Sequence, residues 1–217
     1  MHGEIWERSK EAKYLGVILD QKMQWNKHID YDYVTKKGNK TLAFLRRQLK
    51  HCDNRVKKTC YEVYIRPILE HSSNVWDPHG KGNVDKIEKI QKRAARFISN
   101  IYNNDIPSDS IVSNLQLLPL QKRRANIKLI TVFKAVNNAI AIPTEPFKEI
   151  RTKTRSSRTS FCIPWSRTNT HLYSFYPTAI RLWNNFPNTV TTTYTTLEQF
   201  KTLINTATKI FKNEAVV

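Results

Sequence analysis

The sequence predicts a mainly α-helical protein: an antiparallel helical bundle with a short N-terminal strand and a smaller C-terminal region of helical and irregular structure. Through most of residues 28–138, apolar residues recur every three or four positions, the period of helices with one buried side. The links between these segments are short and rich in turn-forming residues, which favours antiparallel neighbours. Near residue 143 the composition changes, and Ser, Thr, Arg and aromatic residues become frequent.

The composition favours a folded protein with a polyanionic partner. At 217 residues the chain is long enough for one large domain or two small ones. Its 36 Lys and Arg residues outnumber 18 Asp and Glu residues, giving a formal net charge of +18. Such an excess favours nucleic acid ahead of an anionic membrane surface. Aromatic residues make up 11% of the chain, which argues against intrinsic disorder.

Cysteine usage and hydropathy predict an intracellular protein, nuclear or cytoplasmic, that is not secreted. The chain has three cysteines, Cys52, Cys60 and Cys162. This number is small and odd, which does not suit a disulfide framework. No apolar run approaches the roughly 18 residues that span a membrane. Residues 1–8 lack the apolar core of a secretory signal.

The N-terminal strand is predicted at residues 13–20, a short apolar run with β-branched members. Only twelve residues precede it, and they offer no obvious pairing strand. We therefore expect the chain to begin part-way through a larger fold. Residues 1–25 are predicted to be the edge strand of that larger fold, residues 26–142 a helical domain, and residues 143–217 a basic, aromatic-rich C-terminal region.

The first two helices of the bundle are predicted at about 28–50 and after Asp53, a residue that can cap a helix. Gly38 interrupts the first helix at a cost of about 1 kcal/mol relative to alanine, which predicts close approach of another backbone. Pro67 should kink or end the second helix. The residues expected to point inward are Tyr31, Val34, Gly38, Leu42, Leu45 and Leu49 in the first helix and Val56, Cys60 and Val63 in the second.

The third helix, predicted at 83–102, is the most basic segment. Asn83 and Asp85 suit its start as a cap and a first-turn acid. Its expected buried stripe is Ile87, Ile90, Ala94, Phe97, Ile98 and Ile101. Its opposite side carries Lys86, Lys89, Lys92, Arg93 and Arg96. A solvated face would explain such a charge run, and a phosphate-binding surface is the functional alternative.

Further helices are predicted at about 109–117, 119–138 and from 195 to about 212. Inward residues of the second of these are Leu120, Ile127, Ile130 and Phe133, and its start, residues 121–124, is basic. Thr195 and Glu198 form a capping-box pattern at the start of the last helix.

Arginines and aromatic residues interleave after residue 143, which suits phosphates and unstacked bases respectively. The alternative is that the aromatic residues form the core of a small domain, and for Tyr173, Phe175 and Trp183 we favour that core.

The sequence holds no recognisable catalytic or metal-binding pattern. It has no Gly-rich phosphate loop, no His-Glu-x-x-His and no Cys-x-x-Cys, and its histidines and cysteines match no zinc spacing. Asp30 and Asp32 are two residues apart on a predicted helix and so point to different faces. They do not form the clustered carboxylates that two-metal nucleotidyl transfer needs. We expect no cofactor, no metal and no catalytic residue.

An ordered set of motifs extends over almost the whole chain. The first half holds KYLGVILD (13–20), WNKHI (25–29), TLAFLRRQL (41–49), YIRPILE (64–70) and VWDPH (75–79). The second half holds IQKRAARF (90–97), LQKRR (120–124), RTKTR (151–155), SFYPTAI (174–180), LWNNFP (182–187) and LEQFK (197–201). In this order they resemble the region after the palm in reverse transcriptases of non-LTR (LINE-type) retrotransposons of the jockey and CR1 kind.

The resemblance implies that Tyr14, Leu15 and Gly16 belong to a primer-grip hairpin at the palm edge. It further implies that residues 26–142 form a thumb-like domain and that the remainder is a connector region. The implied partners are RNA or DNA, as a template–primer duplex, and a palm and fingers domain of the same element. The parent family is RNA-directed DNA polymerase. Residues 31–34 do not match its Tyr-x-Asp-Asp motif, and the fingers and palm aspartates of the family are absent from this sequence. We therefore expect this chain alone to be inactive.

Our leading hypothesis is a nucleic-acid-gripping fragment of a LINE-type reverse transcriptase that lacks the catalytic palm. The side chains expected to bind nucleic acid are Arg46, Arg47, Lys50, Lys89, Arg93, Arg96, Arg123, Arg124, Arg151, Arg155 and Arg158. The alternative is a non-catalytic interaction or scaffold module that docks on a missing polymerase domain. The apparently unpaired strand favours this alternative, since an open strand edge invites association.

Overall fold

The structure, a computed structural model, describes residues 9–103, 105–150, 160–186 and 196–210. Helices dominate these residues, and a two-stranded antiparallel sheet lies near the N-terminus, which confirms the predicted fold class. The chain divides into two compact units, Met1–Leu120 and Gln121–Val217. The composition instead predicts a boundary near residue 143.

The N-terminal segment is a β-hairpin rather than one strand. Strands β1, Glu11–Tyr14, and β2, Val17–Asp20, pair with Tyr14 opposite Val17. Leu15 and Gly16 connect them with φ angles of 45° and 83°, and positive φ at both positions matches the twist of the paired strands. The expectation of an unpaired strand is therefore wrong, because the apolar run hides a turn at Gly16.

The hairpin is part of the first unit. Val17 belongs to that unit's hydrophobic core. The Nδ1 atom of His28 accepts a hydrogen bond from the backbone N–H of Ile18 at 3.3 Å. His71 Nε2 lies 3.2 Å from the carbonyl oxygen of Leu15. Strand β2 and the turn before it are thus tied to residues of the bundle.

The first unit contains two long helical runs before the basic helix. A π-helical segment, Lys27–Asp32, precedes α1, Val34–Gln48, and a non-helical Tyr33 separates them. The second run is continuous: α2, Asn54–Cys60, passes through a π turn, Tyr61–Ile65, into α3, Arg66–Glu70.

Pro67 therefore does not end the second helical run at its own position. The π turn Tyr61–Ile65 comes directly before the Arg66–Glu70 segment that contains the proline. A wider turn changes the hydrogen-bonding pattern where proline supplies no N–H donor, so the run continues as far as Glu70.

The basic helix, α5, spans Lys81–Ser99, after a short α4 at Ser73–Trp76. Gly80, not Asn83, is its N-cap residue, and the Asn83 side chain donates to Oδ1 of Asn26 at 2.7 Å. The predicted stripe from Ile87 to Ile98 is buried, which confirms that part of the interpretation. A further helix, α6, covers Ser108–Asn114.

Helices α1 and α5 run parallel, because their contacting residues rise in number together. Gly38 lies against Ile90, and Arg93 donates to Oδ1 of Asn39 at 3.1 Å. Farther along, Arg46 lies over the ring of Tyr102.

The second helical run is antiparallel to α5. Lys57 Nζ donates to Oδ1 of Asn100 at 2.7 Å, whereas Tyr61 donates to Oε1 of Gln91 at 2.6 Å. Residue numbers thus rise in one helix as they fall in the other. Successive long helices of the unit are therefore antiparallel, as predicted.

Gly38 allows three helices to meet. A Cβ atom at this position would lie 3.1 Å from Cδ2 of Leu69 and 3.3 Å from Cδ1 of Ile90. The close approach that the glycine predicts is therefore real, but side chains of α3 and α5 make it rather than another backbone.

The inward face of the second run differs from the predicted one. Val56 and Val63 are 44% and 57% exposed, whereas Lys57, Tyr61 and Ile65 are at most 1% exposed. A hydropathy pattern does not predict the burial of Lys57, because a lysine side chain is normally solvated. Here its stem is buried, and its ammonium group bonds Asn100 and lies 5.2 Å from the centre of the Phe97 ring.

Helix α7 spans Leu120–Val136, and the second unit takes it from Gln121 onward. The unit continues with α8, Asn169–Leu172, α9, Phe175–Asn185, and α10, Leu197–Ile210. Helix α7 contributes Phe133 to the core of this unit, where its ring stacks on Phe200 with centroids 4.3 Å apart. This packing explains why the compact units divide near Leu120, before the change in composition.

The aromatic residues of the second unit are mostly core, as the non-functional interpretation predicts. Trp183 is 2% exposed, and Phe175 packs against the same core. Tyr173 is 39% exposed, so its assignment to the core is wrong. Trp165, at 82%, is also exposed.

The capping box of α10 lies one residue later than predicted. Thr196 Oγ1 accepts from the Gln199 N–H, and the Gln199 side chain accepts from the Thr196 N–H. Glu198 instead pairs with Lys201 at 2.7 Å. Both registers fit the sequence rule, and the observed one leaves Glu198 for an ion pair one turn along.

Candidate nucleic-acid interface

Helix α1 carries basic residues along its solvent side. Lys36, Lys40 and Arg47 are exposed and are separated by four and seven positions, a spacing that places them on one side of a helix. Arg47 is among the predicted site residues, but Lys36 and Lys40 are not. Their spacing of four positions on the polar side of α1 is the sequence signal that identifies both.

Helix α5 presents a second basic row beside the first. Lys86, Lys89 and Arg93 are exposed at steps of three and four. The hydrogen bond from Arg93 to Asn39 shows that this flank of α5 adjoins α1. We call the combined surface the α1–α5 basic face. Its members are Lys36, Lys40, Arg46, Arg47, Lys86, Lys89 and Arg93.

The dimensions of the α1–α5 basic face suit a nucleic-acid strand. At about 1.5 Å per helical residue, the row from Lys36 to Arg47 is about 16 Å long. A strand of B-form duplex places one phosphate about every 3.4 Å along its axis. The row therefore spans about five phosphates of one strand.

One end of this face also carries an aromatic side chain. The guanidinium carbon of Arg46 lies 5.7 Å from the centre of the Tyr102 ring. Tyr102 is 56% exposed, and Lys50, just beyond α1, is exposed as well. Cationic and aromatic groups thus occur together at the C-terminal ends of α1 and α5.

Two basic residues of α5 serve the fold on the side of α6. Arg96 donates to the carbonyl oxygens of Asn103 and Ile106 and to Oγ of Ser108, at 2.5, 3.0 and 3.1 Å. Lys92 pairs with Asp109 at 2.8 Å. Arg96, which the sequence assigns to nucleic-acid binding, therefore organises the connection from α5 to α6.

The remaining predicted cations are divided. Arg123 is half-buried and Arg124 is 0% exposed, both in α7 of the second unit. Arg124 therefore presents no side-chain surface to a ligand in this structure. Arg151, Arg155 and Arg158 lie outside the described residues. Of the predicted set, Arg46, Arg47, Lys89 and Arg93 belong to the α1–α5 basic face, and Lys50 lies just beyond α1.

The hairpin turn presents apolar side chains to solvent. Tyr14 is 67% exposed and Leu15 is 76% exposed. Gly16 faces the bundle, and a Cβ atom there would lie 3.1 Å from the hydroxyl oxygen of Tyr33. The predicted primer-grip-like residues therefore form the tip of a hairpin whose base is fixed to the bundle.

His28 is the buried ionisable group that joins the hairpin to the bundle. Its ring stacks on that of Tyr33 and packs in a T-shaped arrangement with that of Trp76, with ring centroids 5.6 and 5.1 Å apart respectively. Burial, with a smaller contribution from the positive charge of His71, lowers the pKa of His28 from 6.5 to about 4. The folded protein thus holds His28 as a neutral hydrogen-bond acceptor for Ile18.

We expect the stability of the first unit to fall in mild acid because of His28. Between pH 6.5 and 4 the unfolded chain protonates His28 and the folded chain does not, so protons favour unfolding. Lowering the pH from 7.5 to 4.5 should cost about 2 to 3 kcal/mol from this group. Urea unfolding of the chain and of His28→Asn, which keeps an acceptor but does not titrate, measures the difference. An equal pH slope in both proteins would contradict the assignment.

The described part of the chain contains neither a metal-binding cluster nor a membrane-spanning helix. There, no group of three or more His, Cys, Asp and Glu side chains could hold a metal ion. No helix in the same ranges has the length and apolar character needed to cross a bilayer.

Comparison with known proteins supports the sequence resemblance. No family model matches the chain, and no solved structure matches it significantly. The chain is similar to the probable RNA-directed DNA polymerase from transposon BS of Drosophila melanogaster, with 27% identity over 103 residues. It is also similar to the RNA-directed DNA polymerase from mobile element jockey of Drosophila funebris, with 28% identity over 102 residues.

Each alignment covers 46% of this chain and 11% of the relative, so the matched region is a small part of either enzyme. These relatives confirm the predicted resemblance to reverse transcriptases of non-LTR elements.

Proposed function

We propose that this chain is a nucleic-acid-gripping part of a LINE-type reverse transcriptase and that the α1–α5 basic face holds the phosphate backbone. The observation that carries the proposal is the convergence of cationic side chains from two parallel helices on one side of the first unit. Both relatives are named RNA-directed DNA polymerases, which supports a nucleic-acid ligand for this chain. The ligand we propose is the template–primer duplex.

Electrostatics supports phosphate binding over base-specific reading. Lysine and arginine side chains bind phosphates without regard to sequence, and a row of them fixes the register of a duplex. The members of the α1–α5 basic face are lysines and arginines, and the side-chain oxygen of Asn39 beside it accepts a hydrogen bond from Arg93. We therefore expect affinity without strong sequence preference.

The hairpin tip supplies the second part of the proposal. We place Tyr14, Leu15 and Gly16 at a primer-grip-like edge that lies against a palm and fingers domain of the same element. The exposure of Tyr14 and Leu15 at a turn that is anchored through His71 supports this placement. The thumb-like role falls to the helices of the first unit, and we assign no catalytic residue.

The test removes charges from the α1–α5 basic face. In Lys36→Gln/Lys40→Gln/Lys89→Gln, three exposed cations are lost. If each contacts a phosphate, the slope of log affinity against log salt should become shallower by about 0.9 per lysine. Fluorescence anisotropy with a 20-base-pair RNA–DNA hybrid of arbitrary sequence, between 50 and 200 mM salt, measures the slope.

The matched control removes the same charge elsewhere. Lys10, Lys22 and Lys148 are exposed and lie outside the α1–α5 basic face. Changing all three to Gln should alter the slope by less than about 0.9, the change expected for one phosphate contact. If both triple variants bind alike, the net charge alone drives binding and the proposed face is wrong.

A further inference from the structure

We propose that Tyr102, supported by Arg46, is a stacking platform for one unpaired base at the C-terminal end of the α1–α5 basic face. The inference rests on the proposed function and narrows its ligand to nucleic acid that has a single-stranded segment next to the gripped backbone. The platform consists of the Tyr102 ring, on the turn after α5, and the Arg46 guanidinium, on α1.

The exposure of Tyr102 is the first supporting observation. Its neighbour Ile101 packs against the hydrophobic core, yet the Tyr102 side chain remains 56% exposed. The guanidinium of Arg46 lies over the ring at 5.7 Å, a distance at which a cation is attracted to an aromatic face. The side chain is therefore oriented by a contact at the surface rather than by burial.

The turn that carries Tyr102 is fixed on its N-terminal side. Asn100, in a left-handed conformation, ends α5 and accepts from the buried ammonium of Lys57 at 2.7 Å. Its amide donates to Oδ1 of Asn54 at 3.2 Å. The N–H of Ile101 donates to the carbonyl of Arg96 at 3.1 Å. Two helices thus hold the residues that come before the ring.

The turn is also fixed on its C-terminal side. Arg96, in the helix that precedes the ring, donates to the carbonyl oxygens of Asn103 and Ile106, and so holds these two residues after the ring. A ligand that stacks on Tyr102 would therefore meet a preorganised backbone and pay little ordering entropy.

The chemistry of the neighbourhood selects an unpaired base. Bases stack on aromatic rings, and arginine adds a cation–π contribution. Arg47 and Lys50 are exposed near the end of α1 and supply cations for the adjoining phosphates. Bases inside a duplex already stack on one another, so the ring gains contact chiefly with a base that is free of pairing.

The experiment compares Tyr102→Ala with Tyr102→Phe in the full chain. The ligands are an eight-nucleotide single-stranded RNA containing 2-aminopurine and a blunt 20-base-pair RNA–DNA hybrid. Loss of one stacked base should weaken binding of the single strand by Tyr102→Ala about fivefold to 150-fold. Tyr102→Phe should bind normally and quench 2-aminopurine fluorescence like the unaltered chain. Blunt-hybrid affinity and the salt slope should not change, because no charge is removed.

Tyr64→Ala is the matched control, since Tyr64 is 58% exposed but lies on the second helical run, outside the α1–α5 basic face. It should bind both ligands normally. The platform is wrong if Tyr102→Ala binds the single strand within twofold of the unaltered chain, or if its affinity falls equally for both ligands. Salt-dependent binding would persist in either case, so the proposed function would still stand. If the unaltered chain binds neither ligand in a salt-dependent way, the proposed function fails first.

Discussion

Raising the salt concentration from 50 to 200 mM should weaken binding of an RNA–DNA hybrid to this chain about 10³- to 10⁴-fold. Each phosphate neutralised by Lys or Arg releases condensed counterions, and the slope of log affinity against log salt is about −0.9 per contact on a B-form duplex. The seven cations of the α1–α5 basic face would give a slope of about −6 if all of them engage. Six to ten contacts would correspond to about 10³- to 10⁵-fold.

The measurement is a salt titration by anisotropy at constant pH above 7, where His28 stays neutral in both folded and unfolded chains. Two hybrids of unrelated sequence should give the same slope, because phosphate contacts carry no sequence information. A slope near zero would exclude a phosphate-gripping role for the chain. A steep slope that Lys36→Gln/Lys40→Gln/Lys89→Gln leaves unaltered would place the gripping surface elsewhere.

The largest effect on stability is expected from Trp76→Ala. Trp76 is 0% exposed, its indole N–H donates to the carbonyl of His71 at 2.6 Å, and its ring packs in a T-shaped arrangement with that of His28. Truncation creates a cavity and removes the donor for that carbonyl, and should cost about 3 to 5 kcal/mol. That is a large share of the 5 to 15 kcal/mol typical of a folded domain, so Trp76→Ala should be largely unfolded in mild denaturant.

Urea unfolding followed by circular dichroism measures the loss, and Trp165→Ala is its control. Trp165 is 82% exposed, so its removal should change stability by less than about 0.5 kcal/mol. Trp76→Phe keeps an aromatic ring and loses the hydrogen bond, and should fall between the two. Equal stability of Trp76→Ala and Trp165→Ala would contradict the burial of Trp76.

Local patterns predict the helices well where an apolar period decides the packing. The stripe from Ile87 to Ile98 in α5 is buried as expected. Predictions that needed a partner distant in sequence were less successful. Lys57 is inside because Asn100 and Phe97 accommodate its ammonium group. The turn at Gly16 is stabilised by contacts with Tyr33 and His71 of the bundle. The local sequence does not show these contacts, so the turn resembled the middle of a strand.

The candidate site was predictable in part for the same reason. Arg46, Arg47, Lys89 and Arg93 share a surface because α1 and α5 lie side by side, which no single helix period shows. Arg96 has the spacing of a surface residue, but the carbonyls of the following turn use its donors. Arg124 begins a basic helix and is nevertheless buried. Lys36 and Lys40 could have been found from α1 alone.

The parallel course of α1 and α5 has an electrostatic consequence for the proposed grip. Helix macrodipoles that point the same way place two partial positive charges at one end of the face and two partial negative charges at the other. Lys36 and Lys86 lie toward the N-terminal ends, where a phosphate is favoured by backbone as well as side chain. Arg46 and Tyr102 lie at the C-terminal ends, where the peptide carbonyls oppose an anion. A bound strand would therefore be held more tightly by its phosphates at the N-terminal end of the α1–α5 basic face than at the C-terminal end, where Tyr102 would add a base contact.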